Sequence, residues 1–125
     1  MNLEDSILRT IKLMLGLTDE ITAYDEEIKV HINSLFTILN QLDVISDDGF
    51  RITGYDETWD QLTDQLTLAE MIKEFMYLKV RMVFDPPGSS VVSDAYNSRI
   101  AELEWRMNIQ AERLAALAEK EAAVP

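Results

Sequence analysis

One helix must stop and another can start at Phe84-Asp85-Pro86-Pro87-Gly88-Ser89-Ser90. Proline has no N–H to donate and pushes the residue before it out of the helical region, so Asp85 closes whatever precedes it. What precedes it is apolar at Leu68, Met71, Ile72, Phe75, Met76, Val80, Met82 and Val83, which is more than one helical face. That breadth predicts a helix over about residues 68–83, buried between other helices. Thr67-Leu68-Ala69-Glu70 reads as its capping box, with the Thr67 hydroxyl meeting free N–H groups and Glu70 reaching back. On the far side of the turn, Ser89 and Ser90 offer N-caps, and Asp94 lies near the positive end of the next helix. There Ile100, Leu103, Met107, Gln110, Leu114 and Leu117 alternate at spacings of three and four, an a/d seam that Gln110 alone interrupts. Two helices joined by so short a turn are expected to be antiparallel neighbours.

The lengths of the pair are unequal. The first helix comes to about 24 Å and the second, over about residues 91–119, to about 43 Å. The longer one therefore outruns its partner by roughly 20 Å while still carrying Leu114 and Leu117. Either the N-terminal helices cover that end or another chain does.

Outward from this hairpin, residues 3–15 place Leu3, Ile7, Leu8, Ile11, Met14 and Leu15 on one helical face, with Gly16 as the C-terminal cap. A second helix starts at Asp25 as N-cap, with Glu26 and Glu27 in its first turn, and carries Ile28, Ile32, Leu35, Phe36, Leu39 and Leu42 as a stripe. The helical period is lost from Asp43 to Asp56. Asp47-Asp48-Gly49 reads as a turn, and Phe50-Arg51-Ile52-Thr53 alternates like a short extended piece before Gly54. Asp56 can cap a short helix with Trp59 and Leu62 on its inner side. No repeat or low-complexity linker interrupts the chain. The expectation is a single all-α domain over residues 1–125, a small helical bundle of four long helices and one short one, with a tail fraying from about residue 118.

Composition narrows the function classes. A 47% hydrophobic content is ordinary for a globular protein, and no run approaches the roughly 18 apolar residues of a membrane span. The start Met1-Asn2-Leu3-Glu4-Asp5 lacks the basic opening of a signal peptide. With no cysteine there are no disulfides and no thiolate chemistry. The net charge of −12 is concentrated in residues 18–66, where twelve acids stand against Lys29 and Arg51 for a net of −10. That segment disfavours tight phosphate binding; it is either a DNA-repelling surface or a loop-rich, soluble one.

Candidate chemistry is sparse. His31, the sole histidine, lies four residues after Glu27 and has no second histidine or cysteine to complete a metal set. Asp43, Asp47 and Asp48 with Gly49 lack the spacing of a calcium loop. No glycine-rich phosphate loop, nucleophile elbow or Cys–His pair is present. The reading is therefore no enzyme, with no catalytic, cofactor-binding or metal residues. Met71, Met76, Met82, Met107 and Tyr96 fall with core positions. Trp105 does not: with Ile109 it forms a second apolar line that needs cover from helix one, helix two or a neighbouring subunit. Arg99, Arg106 and Arg113, seven residues apart, form a stripe beside the seam. It either meets the acidic surface of residues 18–66 in an adjacent copy, or pairs locally with Glu102. Arg99, Trp105, Arg106, Ile109, Arg113, Leu114 and Leu117 are the candidate interface.

Phe84-Asp85-Pro86-Pro87 and Glu102-Leu103-Glu104-Trp105-Arg106-Met107, with Ile32-Asn33-Ser34-Leu35-Phe36 and Asp56-Glu57-Thr58-Trp59, span most of the chain. On these residues the sequence resembles the head–tail connector (adaptor, head-completion) proteins of long-tailed bacteriophages. The resemblance implies a structural virion protein at the head–tail junction, assembled in the host cytoplasm. It implies a homo-oligomeric ring, commonly dodecameric, beneath the portal protein. Such a ring extends the DNA channel without binding DNA specifically and presents a surface to the next head-completion or tail protein. It brings no catalytic residues and no cofactor. A competing reading is an acidic helical interaction module, such as a DNA mimic, but the carboxylates cluster at loops and helix starts rather than along one surface.

Overall fold

The computed structural model describes residues 5–123. Among them are five helices and no strand: α1 (Ile7–Met14), α2 (Asp25–Gln41), α3 (Trp59–Leu62), α4 (Leu66–Phe84) and α5 (Ser90–Ala122). The all-helical bundle expected from periodicity forms. Leu3, placed on the first helix by its spacing, lies outside the described residues.

The broad apolar surface of α4 has its reason in position: α4 touches each of the other four helices. Ile72, Phe75, Met76 and Val80 are fully buried there, joined by Leu68, Ala69 and Leu78. Ile7, Leu8 and Ile11 of α1 and Ile28, Ile32, Phe36 and Leu39 of α2 complete one contiguous core with Ile100, Leu103 and Met107 of α5. Against α4, α5 runs in the opposite direction. Glu74 meets Arg99, while Arg81 lies over the Tyr96 ring, so residue numbers fall along one helix as they rise along the other.

Helix ends follow local chemistry. Ser6 caps α1 by accepting from the Arg9 N–H at 3.3 Å. Gly16 closes it at φ +85°, with Gly16 N–H donating to Leu13 O and Leu17 N–H to Lys12 O. That is a Schellman end, and glycine suits the left-handed position. The end of α2 repeats the bond pattern, Asp43 N–H to Asn40 O and Val44 N–H to Leu39 O, but with Asp43 at φ +62°. An aspartate held there carries a steric cost that glycine avoids. Asp43→Gly is therefore expected to raise the unfolding free energy by about 0.5–1 kcal/mol, and Asp43→Val to lower it. Urea denaturation of the three proteins checks this.

Four expectations about ends and turns are corrected. The helix expected from Leu68 starts at Leu66 behind Gln65, because the Thr63 hydroxyl accepts from Gln65 N–H at 3.1 Å and turns the chain earlier. Glu70 reaches forward to Lys73 at 3.3 Å rather than back to Thr67, so no capping box forms there. Asp25 is the first helical residue of α2, not its N-cap, since its carboxylate faces Lys12 and Tyr55. Thr58, not Asp56, precedes α3, and its N–H donates to Gln61 Oε1 at 3.2 Å.

The alternating piece Phe50–Thr53 buries Ile52 and half-buries Phe50, as alternation predicts, but pairs with no strand. Asn33 on α2 takes its place. The Asn33 amide donates to Ile52 O at 3.0 Å and accepts from Ile52 N–H at 2.8 Å, one side chain meeting both backbone groups. Phe50 stacks edge-on against Phe36 at 5.1 Å. Trp59 enters the core and donates from its indole to Thr10 Oγ1 at 3.0 Å.

Candidate interaction surface

Successive residues on α5 turn by about 100°, so the helix carries a buried side and an opposite side. On the buried side the seam fades with distance. Ile100, Leu103 and Met107 are buried, Gln110 and Leu114 half-buried, and Leu117 is 50% exposed. The reason is length: 33 residues make about 50 Å of helix, against about 28 Å for the 19 residues of α4. The segment after α2 covers part of the excess. Asn108 donates to Leu42 O at 2.8 Å, and Val44 and Ile45 lie beside Ala111 and Leu114. Of the two covers left open for that end, the chain itself supplies one for Leu114, which packs against the core. From Ala115 to Ala123 every residue is exposed, and α5 stays helical to Ala122, past the boundary expected near residue 118.

Trp105 lies two residues from both Leu103 and Met107, about 200° around the helix. It is 66% exposed, and Ile109, one turn on, is 45% exposed. Neither α1 nor α2 covers this line. A tryptophan so placed leaves a large apolar area in water, a mark of interaction sites when it adjoins other apolar groups.

The arginine stripe is divided. The Arg99 guanidinium grips Glu74 of α4 through Nε and Nη2, the latter at 2.9 Å, and reaches Glu102 at 3.1 Å. Arg106 Nε donates to Glu102 at 2.9 Å. Hydrogen bonds from Arg99 hold the Glu74 carboxyl below the usual range, and those from Arg99 and Arg106 do the same to Glu102. Arg113 has no ion pair among the described residues. Lys120, likewise unpaired, continues the seven-residue spacing because α5 extends to Ala122.

A buried charge on α1 escaped the sequence reading. Lys12 is 1% exposed, with Nζ 2.8 Å from Asp25 Oδ1 and donating to Ile21 O and Tyr55 Oη, both at 2.6 Å. The Tyr55 hydroxyl in turn donates to Asp25 Oδ2 at 3.2 Å. Burial alone lowers the Lys12 pKa, but the bonds to Asp25 and Tyr55 outweigh it and hold it above the ordinary lysine value. The signal was there: Leu8, Ile11, Lys12 and Leu15 share one helical face.

His31 is half-buried, 3.7 Å from Glu27 Oε1 on its own helix. It borders a groove of about 300 Å³ between α2, α4 and α5, with Lys79, Val83 and Asn97. Among the described residues no three His, Cys, Asp or Glu side chains are placed to hold a metal ion. No helix among them is long and apolar enough to cross a membrane.

Comparison with known proteins adds one positive finding. A family model described as phage connector protein matches residues 7–114, from the first residue of α1 to the last residue of α5 that packs on the core. No curated protein and no solved structure matches the chain.

Proposed function

The chain belongs to the phage connector protein family, a family of structural proteins, and from that premise we propose that it assembles as a ring beneath the portal at the head–tail junction. The ring extends the DNA channel and presents a surface to the next head-completion or tail protein. The observation that supports this reading is the Trp105–Ile109 line, opposite the core seam of α5 and uncovered by any other of the described residues. Burying a side chain of this size stabilises an interface by roughly 1.5–3 kcal/mol, so two on adjacent turns favour a neighbour. With Arg106, Arg113 and Leu117 on the same helix, they form the contact surface, while Arg99 braces α5 against α4. A ring contact is heterologous: one face of each subunit meets a different face of the next, and the rotation closes. The −10 charge of residues 18–66 suits a channel through which DNA passes, since it offers phosphates few cations to hold them.

Electron microscopy of the wild type with purified portal protein tests the reading. Rings seated on the portal are expected. Trp105→Ala with Ile109→Ala should fold as the wild type does, by circular dichroism, yet form no rings. A wild type that neither forms rings nor binds portal overturns the reading.

A further inference from the structure

Resting on the ring reading, we infer that the distal face of α5 in one subunit lies in the acid-rimmed cleft between the α2–α3 segment and α5 of the next. The inserted face is Arg106, Ile109, Arg113, Leu117 and Lys120, which share one side of the helix at spacings of three and four. Cationic and apolar side chains alternate along it. Ile109 and Leu117 are exposed, and Arg113 and Lys120 have no ion-pair partner among the described residues.

The receiving cleft, about 440 Å³, has the complementary character. Ile45, Leu62, Leu68 and Leu114 line it among a larger polar surface that includes Ser46, Gln61 and Thr63. Its rim carries Asp43, Asp60 and Asp64, all exposed and none in an ion pair among the described residues. A largely polar, acid-rimmed cleft with a few apolar residues between fits a helix face whose unpaired cations flank one or two apolar side chains, with charge complementarity setting the match.

The two surfaces cannot satisfy each other within one chain. Ala111 and Leu114 of α5 line the cleft, whereas Arg113 and Lys120 lie about 100–180° around the same helix from them. A subunit therefore offers a cationic face in one direction and an acidic cleft in another. Copies joined through them run head to tail, and a closed ring leaves neither unpaired.

Charge exchange tests this directly. One variant carries Arg113→Glu and Lys120→Glu; the other carries Asp60→Lys and Asp64→Lys. Each alone sets like charges against each other at every contact. Each is expected to raise the concentration needed for assembly by about a hundredfold or more, as read by light scattering on the eluting oligomer. Mixed in equal amounts, the two variants regain opposite charges at every contact and assemble as alternating copies. A chain carrying all four changes assembles by itself. This rescue separates lost contact from lost folding, since a misfolded variant is not restored by its counterpart. Single variants that assemble like the wild type, or a mixture that stays dissociated, overturn the inference and leave the ring reading standing. A wild type that forms no ring with or without portal overturns both.

Discussion

Lys12→Ala is expected to lower the unfolding free energy by about 3–5 kcal/mol, because it leaves the Asp25 carboxylate beside Tyr55 without its cation. The loss is expected to be large for so small a helix as α1. Lys12 ties it to the carbonyl of Ile21, to the start of α2 and to Tyr55, 43 residues along the chain. Removing both charges, Lys12→Met with Asp25→Leu, should recover part of the loss, since an apolar pair avoids the desolvation that the ion pair suffers. The same group sets a pH dependence. Its folded pKa lies above the ordinary value of 10.5, so its contribution is fully present below that pH and is lost as pH rises through the folded value. Melting temperatures followed from neutral to strongly alkaline pH should fall more steeply for the wild type than for Lys12→Met. Parallel curves would show that the fold does not raise the Lys12 pKa.

Phe75→Ala is expected to cost about 3–5 kcal/mol, since Phe75 is fully buried at the middle of α4, which touches each of the other helices. Phe84→Ala should cost less, about 1–2 kcal/mol. The position of Phe84 next to Asp85-Pro86 suggests a core anchor for the turn. In the structure Phe84 is only half-buried and stacks edge-on against the exposed ring of Tyr24 at 5.2 Å. Core burial is decided by the number of elements around a residue, and the end of α4 has few. Thermal denaturation of the two variants distinguishes them: equal losses would place Phe84 among the core residues after all.

Much of the architecture was legible beforehand because it depends on neighbours three or four residues away. The α2 stripe, the seam through Ile100, Leu103 and Met107, the stop at Asp85 and the end at Gly16 are all set by local periodicity or backbone chemistry. Capping was less legible. Thr67 with Glu70 has the spacing of a capping box, but Lys73 draws Glu70 forward. Asp25 has the side chain of an N-cap, but Lys12 and Tyr55 engage it. In each case a competing partner took the group that the motif required.

The sequence by itself determined five helical segments, their order, the stops at Gly16 and Asp85, and a family whose model covers residues 7–114. Only the tertiary structure decided which polar groups distant in the chain meet. Arg99 finds Glu74 across 25 positions, Lys12 finds Tyr55 across 43, and Asn33 clamps Ile52 across 19. It alone also decided that Leu114 is half-covered while Trp105 is left in water. The physical reason is that periodicity states which residues share a face of one helix, a property of short-range geometry. Which face meets which neighbour, and which meets none, depends on how helices of unequal length fit together around α4.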